Sequence, residues 1–237
     1  MPKILALDTS TDACSVALYV AGDIREDFRI IPRQHTKQLL PMIQAMLDDA
    51  GLKVTDLDAI AFGRGPGSFA GIRIATGVAQ GLAFSAELNL LPISTLAAIA
   101  LAHHLKTGDQ HVIAALDARM DEVYWAAYKF ENGLPILLES ERVDAPANIC
   151  LPDASEWAGV GSGWRYLQKM SDQVKQFITT VEGGLQEEVD ENTTYPTASS
   201  IVRLAIKDYQ EGKSVSPELA LPVYLRDNVA WKKKDQQ

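Results

Sequence analysis

Basic residues, histidine and cysteine are all scarce in this chain, and no apolar run approaches membrane length. Lys and Arg number 22 against 31 Asp and Glu, a formal net charge of −9 over 237 residues. That balance opposes a broad nucleic-acid surface unless charge is locally segregated. The one basic cluster, Lys232-Lys233-Lys234 after Trp231, reads as a solvated tail. The histidines His35, His103, His104 and His111 form no His-x-x-x-His, and neighbouring helical positions point to different faces, so no protein-built metal site is expected. Cys14 and Cys150 show no pairing pattern, which predicts reduced structural thiols and a cytoplasmic setting. The lack of an 18-residue apolar run excludes a spanning helix, and Asp8 interrupts Ile4-Leu5-Ala6-Leu7 too early for a signal-peptide core. No Gly-Lys-Ser/Thr follows the glycine loop at 63–67, and no Ser/His/Asp constellation is visible.

What remains is an ordinary globular composition, 47% hydrophobic and 22% charged. Its most informative stretch is Phe62-Gly63-Arg64-Gly65-Pro66-Gly67-Ser68-Phe69-Ala70-Gly71-Ile72-Arg73. A short apolar strand at 57–62 precedes it. Ser68 can cap a helix running to about Ser85, so the unit is strand, glycine loop, helix N-terminus. Such a unit suits an anion. The competing reading is a sharp turn into a tightly packed helix. It draws on Gly71, Gly77 and Gly81, each costing about 1 kcal/mol of helix propensity relative to Ala, a loss that makes sense if another helix packs close.

Before this unit, the pattern predicts a hairpin from Ile4-Leu5-Ala6-Leu7-Asp8 through a polar tip to Ser15-Val16-Ala17-Leu18-Tyr19-Val20, then a third strand at 24–30. A helix at 36–50 follows, with Pro41 in its first turns and a wide apolar stripe for which core packing is the default. After the central helix come a short strand at 90–93 and a small-residue helix at 95–105.

The first hairpin then returns. Val112-Ile113-Ala114-Ala115-Leu116-Asp117, a turn at 118–121 and a strand at 123–128 align Asp117 with Asp8 and Asp121 with Asp12, both offset by 109. A repeat of this length predicts two lobes of related topology facing a cleft, residues 1–107 and 108–237, with the tail packing back on the first lobe. Asn132-Gly133 reads as a hairpin turn, Gly161-Ser162-Gly163 as a second glycine loop, 182–194 as an exposed polar loop and 197–209 as a helix.

Together these pieces resemble the two-lobed actin, sugar-kinase and Hsp70 architecture, an α/β class with mixed sheets flanked by helices. More closely, Leu7-Asp8-Thr9-Ser10, Gly65-Pro66-Gly67-Ser68-Phe69 with Gly71-x-Arg73, Asp117-Ala118-Arg119 with Glu122-Val123-Tyr124, and Tyr224-x-Arg226 resemble the TsaB (YeaZ) family. The resemblance runs from residue 1 to about 226. It implies a noncatalytic subunit in the synthesis of N6-threonylcarbamoyladenosine at position 37 of tRNAs that read codons beginning with A. It also implies a metal-bearing TsaD-like paralogue as partner, a TsaE-like P-loop ATPase joining the pair, tRNA engaged through the complex, and a homodimer when alone.

The pairing helices of such a family correspond here to 36–50 and 68–85. They give Leu39, Ile43, Met46 and Leu47, with Ile74, Gly77, Val78 and Gly81, as expected interface residues. The candidates for any ligand in the cleft are Asp8, Thr9, Ser10, Gly65 and Gly67 in the first lobe, and Asp117, Arg119, Gly161 and Gly163 in the second. Ala70 stands where the family commonly has Thr. Ala118-Arg119 would crowd a phosphate, and Arg119 is expected to pair with a carboxylate across the cleft. No cofactor is expected; the rival reading is a nucleotide hydrolase or peptidase-like enzyme using Asp8 or Asp117.

Overall fold

The computed structural model describes residues 1–183 and 195–226. The first sheet is built from β1 (Ile4–Asp8), β2 (Ala13–Val20), β3 (Asp23–Ile30), β4 (Ala59–Gly65) and β5 (Asn89–Ser94), in the order β3-β2-β1-β4-β5. The second uses β6 (His111–Arg119), β7 (Glu122–Glu131), β8 (Leu134–Leu137), β10 (Trp157–Val160) and β11 (Ile178–Glu182), in the order β11-β10-β6-β7-β8. The short β9 (Arg142–Asp144) pairs with β7.

The two orders are the same pattern. β1 pairs antiparallel with β2 and parallel with β4; β6 pairs antiparallel with β7 and parallel with β10. The repeat read from Asp8 and Asp117 is thus a repeat of mixed-sheet topology. A strand covered on both faces has no solvent side for polar residues. That is why β1 reads Ile-Leu-Ala-Leu without alternation, Ile4 and Ala6 facing one cluster and Leu5 and Leu7 another.

Helices α1 (His35–Asp49) and α2 (Phe69–Ser85) cover the outer face of the first sheet. Leu39, Met42, Ile43, Met46 and Leu47 of α1 pack there with Ala75, Ala79 and Ala83 of α2. Between the sheets lie α3 (Thr95–Thr107) and α5 (Ala198–Gln210). α5 buries Ile201, Val202 and Ala205 on the first sheet, and α3 presents Leu96, Ile99 and Leu101 to the second. The strands of the first sheet end by Ser94 and those of the second begin at His111, whereas α5 returns from the second half of the chain to the first sheet. A short α4 (Asp172–Phe177) precedes β11. On the far face of the second sheet, Trp157 and Trp164 are fully buried, and a Cβ at Gly159 would stand 2.4 Å from the Trp164 ring.

Three details differ from the expectations. β4 continues through Gly63 and Arg64 to Gly65, so the loop proper is only Pro66-Gly67-Ser68. α4 and β11 have no signature in the sequence, because six- and five-residue elements carry too few apolar repeats to show a period. Cys14 is buried, with its thiol pushed up to about 12 by burial, but Cys150 is exposed and is no core thiol. Most of the expected loop at 182–194, and Lys232-Lys233-Lys234, fall outside the described residues.

Candidate functional site

The first hairpin tip and the glycine loop hold each other by backbone contact. The Ser68 amide donates to the Ser10 carbonyl at 2.7 Å, and Thr9 Oγ1 donates to the Gly71 carbonyl at 2.7 Å. A Cβ at Gly71 would lie 1.9 Å from the Thr9 carbonyl oxygen, and one at Gly67 would lie 2.5 Å from that of Ser10. These glycines exist for close approach. The neighbour is the hairpin, not another helix, and its main chain occupies the cradle that an anion would need.

Asp8 lies beneath this seal with no exposed surface. Its Oδ1 accepts from the Ser10 amide at 2.9 Å and from Ser10 Oγ at 2.8 Å; its Oδ2 has no partner among the described residues. Burial pushes the carboxyl up to about 7, against the opposing pull of the Ser10 bonds. A Cβ at Gly63 would stand 1.8 Å from Asp8 Oδ2, so Gly63 is the floor on which this carboxyl rests.

The second hairpin is open at its tip. Arg119, Met120 and Asp121 turn with φ of 63°, 58° and 57°, three consecutive left-handed residues. Asp117 Oδ1 accepts from the Arg119 amide at 2.8 Å and from the Tyr166 hydroxyl at 3.3 Å, while Oδ2 lies 3.5 Å from the guanidinium groups of both Arg119 and Arg165. Arg119 therefore pairs within its own hairpin, not across the cleft. Gly161 and Gly163 are again close-packing residues: their Cβ atoms would fall 2.3 Å from the Ala115 carbonyl oxygen and 2.8 Å from the Ala115 Cβ.

Between the hairpins is a cleft of about 840 Å³. Of the nine sequence candidates, Ser10, Gly67, Asp117 and Arg119 line it; Asp8, Thr9, Gly65, Gly161 and Gly163 do not. The structure adds Arg73, Arg165 and the segment 223–226, which the sequence reading had given no role. That segment is the end of a strap. The Gln80 side-chain amide donates to the carbonyls of Pro217 and Ala220 at 2.9 and 3.1 Å, the Val223 amide donates to the Arg64 carbonyl at 2.8 Å, and Arg73 Nε donates to the Tyr224 hydroxyl at 2.8 Å. Arg226 then reaches the second lobe, donating to the Ala118 carbonyl at 3.2 Å and pairing with Glu122. The pattern Tyr224-x-Arg226 is thus an interlobe clamp, assisted by the Arg64–Glu141 pair at 3.2 Å.

The eight expected interface residues separate sharply. Leu39, Ile43, Met46 and Leu47 are core residues of α1 and offer no surface, because the stripe that could have met a partner meets the sheet. Ile74 and Val78 are half-buried against that same core. Only Gly77 and Gly81 are exposed, and a Cβ at either would meet nothing within 4 Å. They lie on the outer ridge of α2 with Phe84, which is 72% exposed, while Phe69 at the start of the helix faces the cleft; Leu40 on α1 is exposed by 51%.

His103 is buried, its ring nitrogens 2.7 Å from Asp109 and 3.2 Å from Glu182, and His104 stacks on Phe130. No group of three or more metal-ligating side chains occurs among the described residues, and none of their helices is long and apolar enough to cross a membrane.

Comparison with known proteins decides the family. Residues 29–234 match the family model described as TsaD, tRNA N6-adenosine threonylcarbamoyltransferase. The tRNA threonylcarbamoyladenosine biosynthesis protein TsaB of Escherichia coli K12 is 45% identical over 98% of this chain and 97% of its own length. The chain belongs to the TsaB (YeaZ) family. The Haemophilus influenzae TsaB is 38% identical over 97% of this chain and 96% of its own. YeaZ from Pseudomonas aeruginosa superposes with a TM-score of 0.87 at 43% identity, covering 95% of this chain and all of that one. The TsaB relatives match nearly end to end, so the clamp at 223–226 falls within the aligned family fold. The match to the TsaD family model begins at the end of β3 and takes in β4 and β5 of the first sheet and all of the second sheet.

Proposed function

We propose that this chain is a noncatalytic subunit required for threonylcarbamoylation of adenosine 37 in tRNAs reading codons that begin with A. It acts by docking and activating a TsaD-like transferase, with a TsaE-like ATPase joining the pair and tRNA engaged through the complex. The observation that carries this reading is the outer ridge of α2. Gly77 and Gly81 cost about 1 kcal/mol each in an exposed helix, and none of the described residues uses the space they leave. Small residues on a helix face let a second helix approach closely. Phe84 borders that floor as an exposed apolar group suited to an interface core. In the absence of the transferase, the same ridge pairs two copies of this chain.

The cleft offers less support for the rival hydrolase or peptidase reading. The carboxyl with the raised pKa, Asp8, does not line the cleft. The carboxylate that does, Asp117, is engaged by two arginines and a tyrosine.

The test is threonylcarbamoyladenosine yield, by mass spectrometry of digested tRNA, in a reconstituted mixture with and without this chain. Product is expected only when both this chain and the transferase are present; equal yield without this chain rejects the proposal. Gly77→Leu fills the open ridge without touching the core. It is expected to abolish co-elution with the transferase while leaving the melting temperature unchanged or slightly raised.

A further inference from the structure

The cleft gathers positive charge in a chain whose formal net charge is −9. Four arginines, Arg73, Arg119, Arg165 and Arg226, line it against Asp12 and Asp117. Arg226 is committed to Glu122 and to the hairpin carbonyls. Arg119 and Arg165 share one carboxylate oxygen, so two guanidinium groups face a single negative charge. Arg73 has no carboxylate within ion-pair distance among the described residues. Its guanidinium lies 3.7 Å above the Phe69 ring and 5.5 Å from the centre of the Tyr224 ring.

Two features separate this arrangement from a mononucleotide pocket. The loops that would cradle a phosphate are filled, Gly67 and Gly71 by the first hairpin and Gly161 and Gly163 by Ala115. The charges and rings stand at the rim, the side chains of Arg119 and Arg165 being 78% and 47% exposed and Tyr224 44% exposed. Spaced rim cations beside exposed aromatic faces fit a polymer that presents successive phosphates and unstacked bases. We propose that the cleft binds single-stranded RNA, with phosphates on Arg119 and Arg165 and a base on the face formed by Phe69, Arg73 and Tyr224. The choice of RNA rests on the tRNA-modifying role proposed above. It adds to that role a direct contact by this subunit.

The experiment is fluorescence anisotropy of a fluorescein-labelled, mixed-sequence 12-nucleotide RNA with the full chain at 50 and 200 mM KCl. Two phosphate contacts on a single strand predict that affinity falls roughly 7-fold between the two salt concentrations. The double variant Arg119→Glu/Arg165→Glu is expected to weaken binding by about 10-fold or more and to flatten the salt dependence. Phe69→Ala, at an exposed position, is expected to weaken binding about 5-fold and provides a second route if the double variant does not fold. Arg29→Glu on the edge strand β3 is expected to change nothing. No binding at 50 mM KCl, equal binding by the arginine variant, or equal competition by duplex RNA or by adenosine monophosphate would each overturn the proposal. Product that still depends on this chain while the RNA fails to bind would sink this inference and leave the proposed subunit role standing.

Discussion

Asp8 at the end of β1 and Asp117 near the end of β6 occupy equivalent places in two sheets with the same strand order, and they live in opposite environments. Asp8 is sealed by the glycine loop, and one of its oxygens is unpartnered. Asp117 faces the cleft and collects an amide, a hydroxyl and two guanidinium groups. The difference follows from where the glycines press. Gly67 and Gly71 meet the tip of the first hairpin, whereas Gly161 and Gly163 meet Ala115, two residues back from Asp117 in β6. One copy of the repeat became a packed joint, and the other turned its tip to the cleft, where Arg226 holds it.

Breaking the joint should have the largest effect. Gly71→Ala places a Cβ where the Thr9 carbonyl oxygen stands, and main chain cannot move aside as a flexible side chain does. A loss of about 3 kcal/mol is expected, read as a lower denaturant midpoint. Gly77→Ala on the same helix should do the reverse. It meets open space and gains up to about 1 kcal/mol of helix propensity, while weakening transferase co-elution. Destabilisation by Gly77→Ala would mean that α2's ridge is not free.

The next effect is on pH. The folded-state pKa of Asp8 is raised from 3.8 to about 7, so between those values the folded chain holds a proton that the unfolded chain has released. Stability from this group is therefore present below about pH 4, falls as pH rises towards 7, and changes little above that. Urea unfolding at pH 4.5, 6 and 8 should show this decline in the parent chain. The difference between parent and Asp8→Asn should carry the decline and flatten above about pH 7. A constant difference across the three pH values would mean that Asp8 titrates like an exposed carboxylate.

Much of this was legible in sequence, for physical reasons that also mark where legibility stopped. The hairpins, α1, α2 and the repeat could be read because period and turn chemistry are local. The partner of each glycine could not, since glycine records that something comes close without saying what. Gly71 meets a hairpin, Gly77 meets nothing, and in sequence the two look alike. The stripe of Leu39, Ile43, Met46 and Leu47 likewise reads as apolar whether it faces a sheet or a partner. The clamp at 223–226 was visible only as a resemblance, because its bonds to Arg64, Arg73, Ala118 and Glu122 join residues more than 100 positions apart.

The smallest effect sharpens the comparison from the open side. Asp117→Asn keeps an acceptor for the Arg119 amide and the Tyr166 hydroxyl but removes the one charge that Arg119 and Arg165 share. Because both arginines are substantially exposed, their pairing is screened, and stability should change by no more than about 1 kcal/mol. If the cleft receives RNA phosphates, the same substitution frees both cations and should raise affinity for the single strand by up to about 5-fold. Affinity that falls instead would assign Asp117, not the two arginines, to the ligand. The open hairpin would then have to be read as a donor-seeking site and not an anion-seeking one.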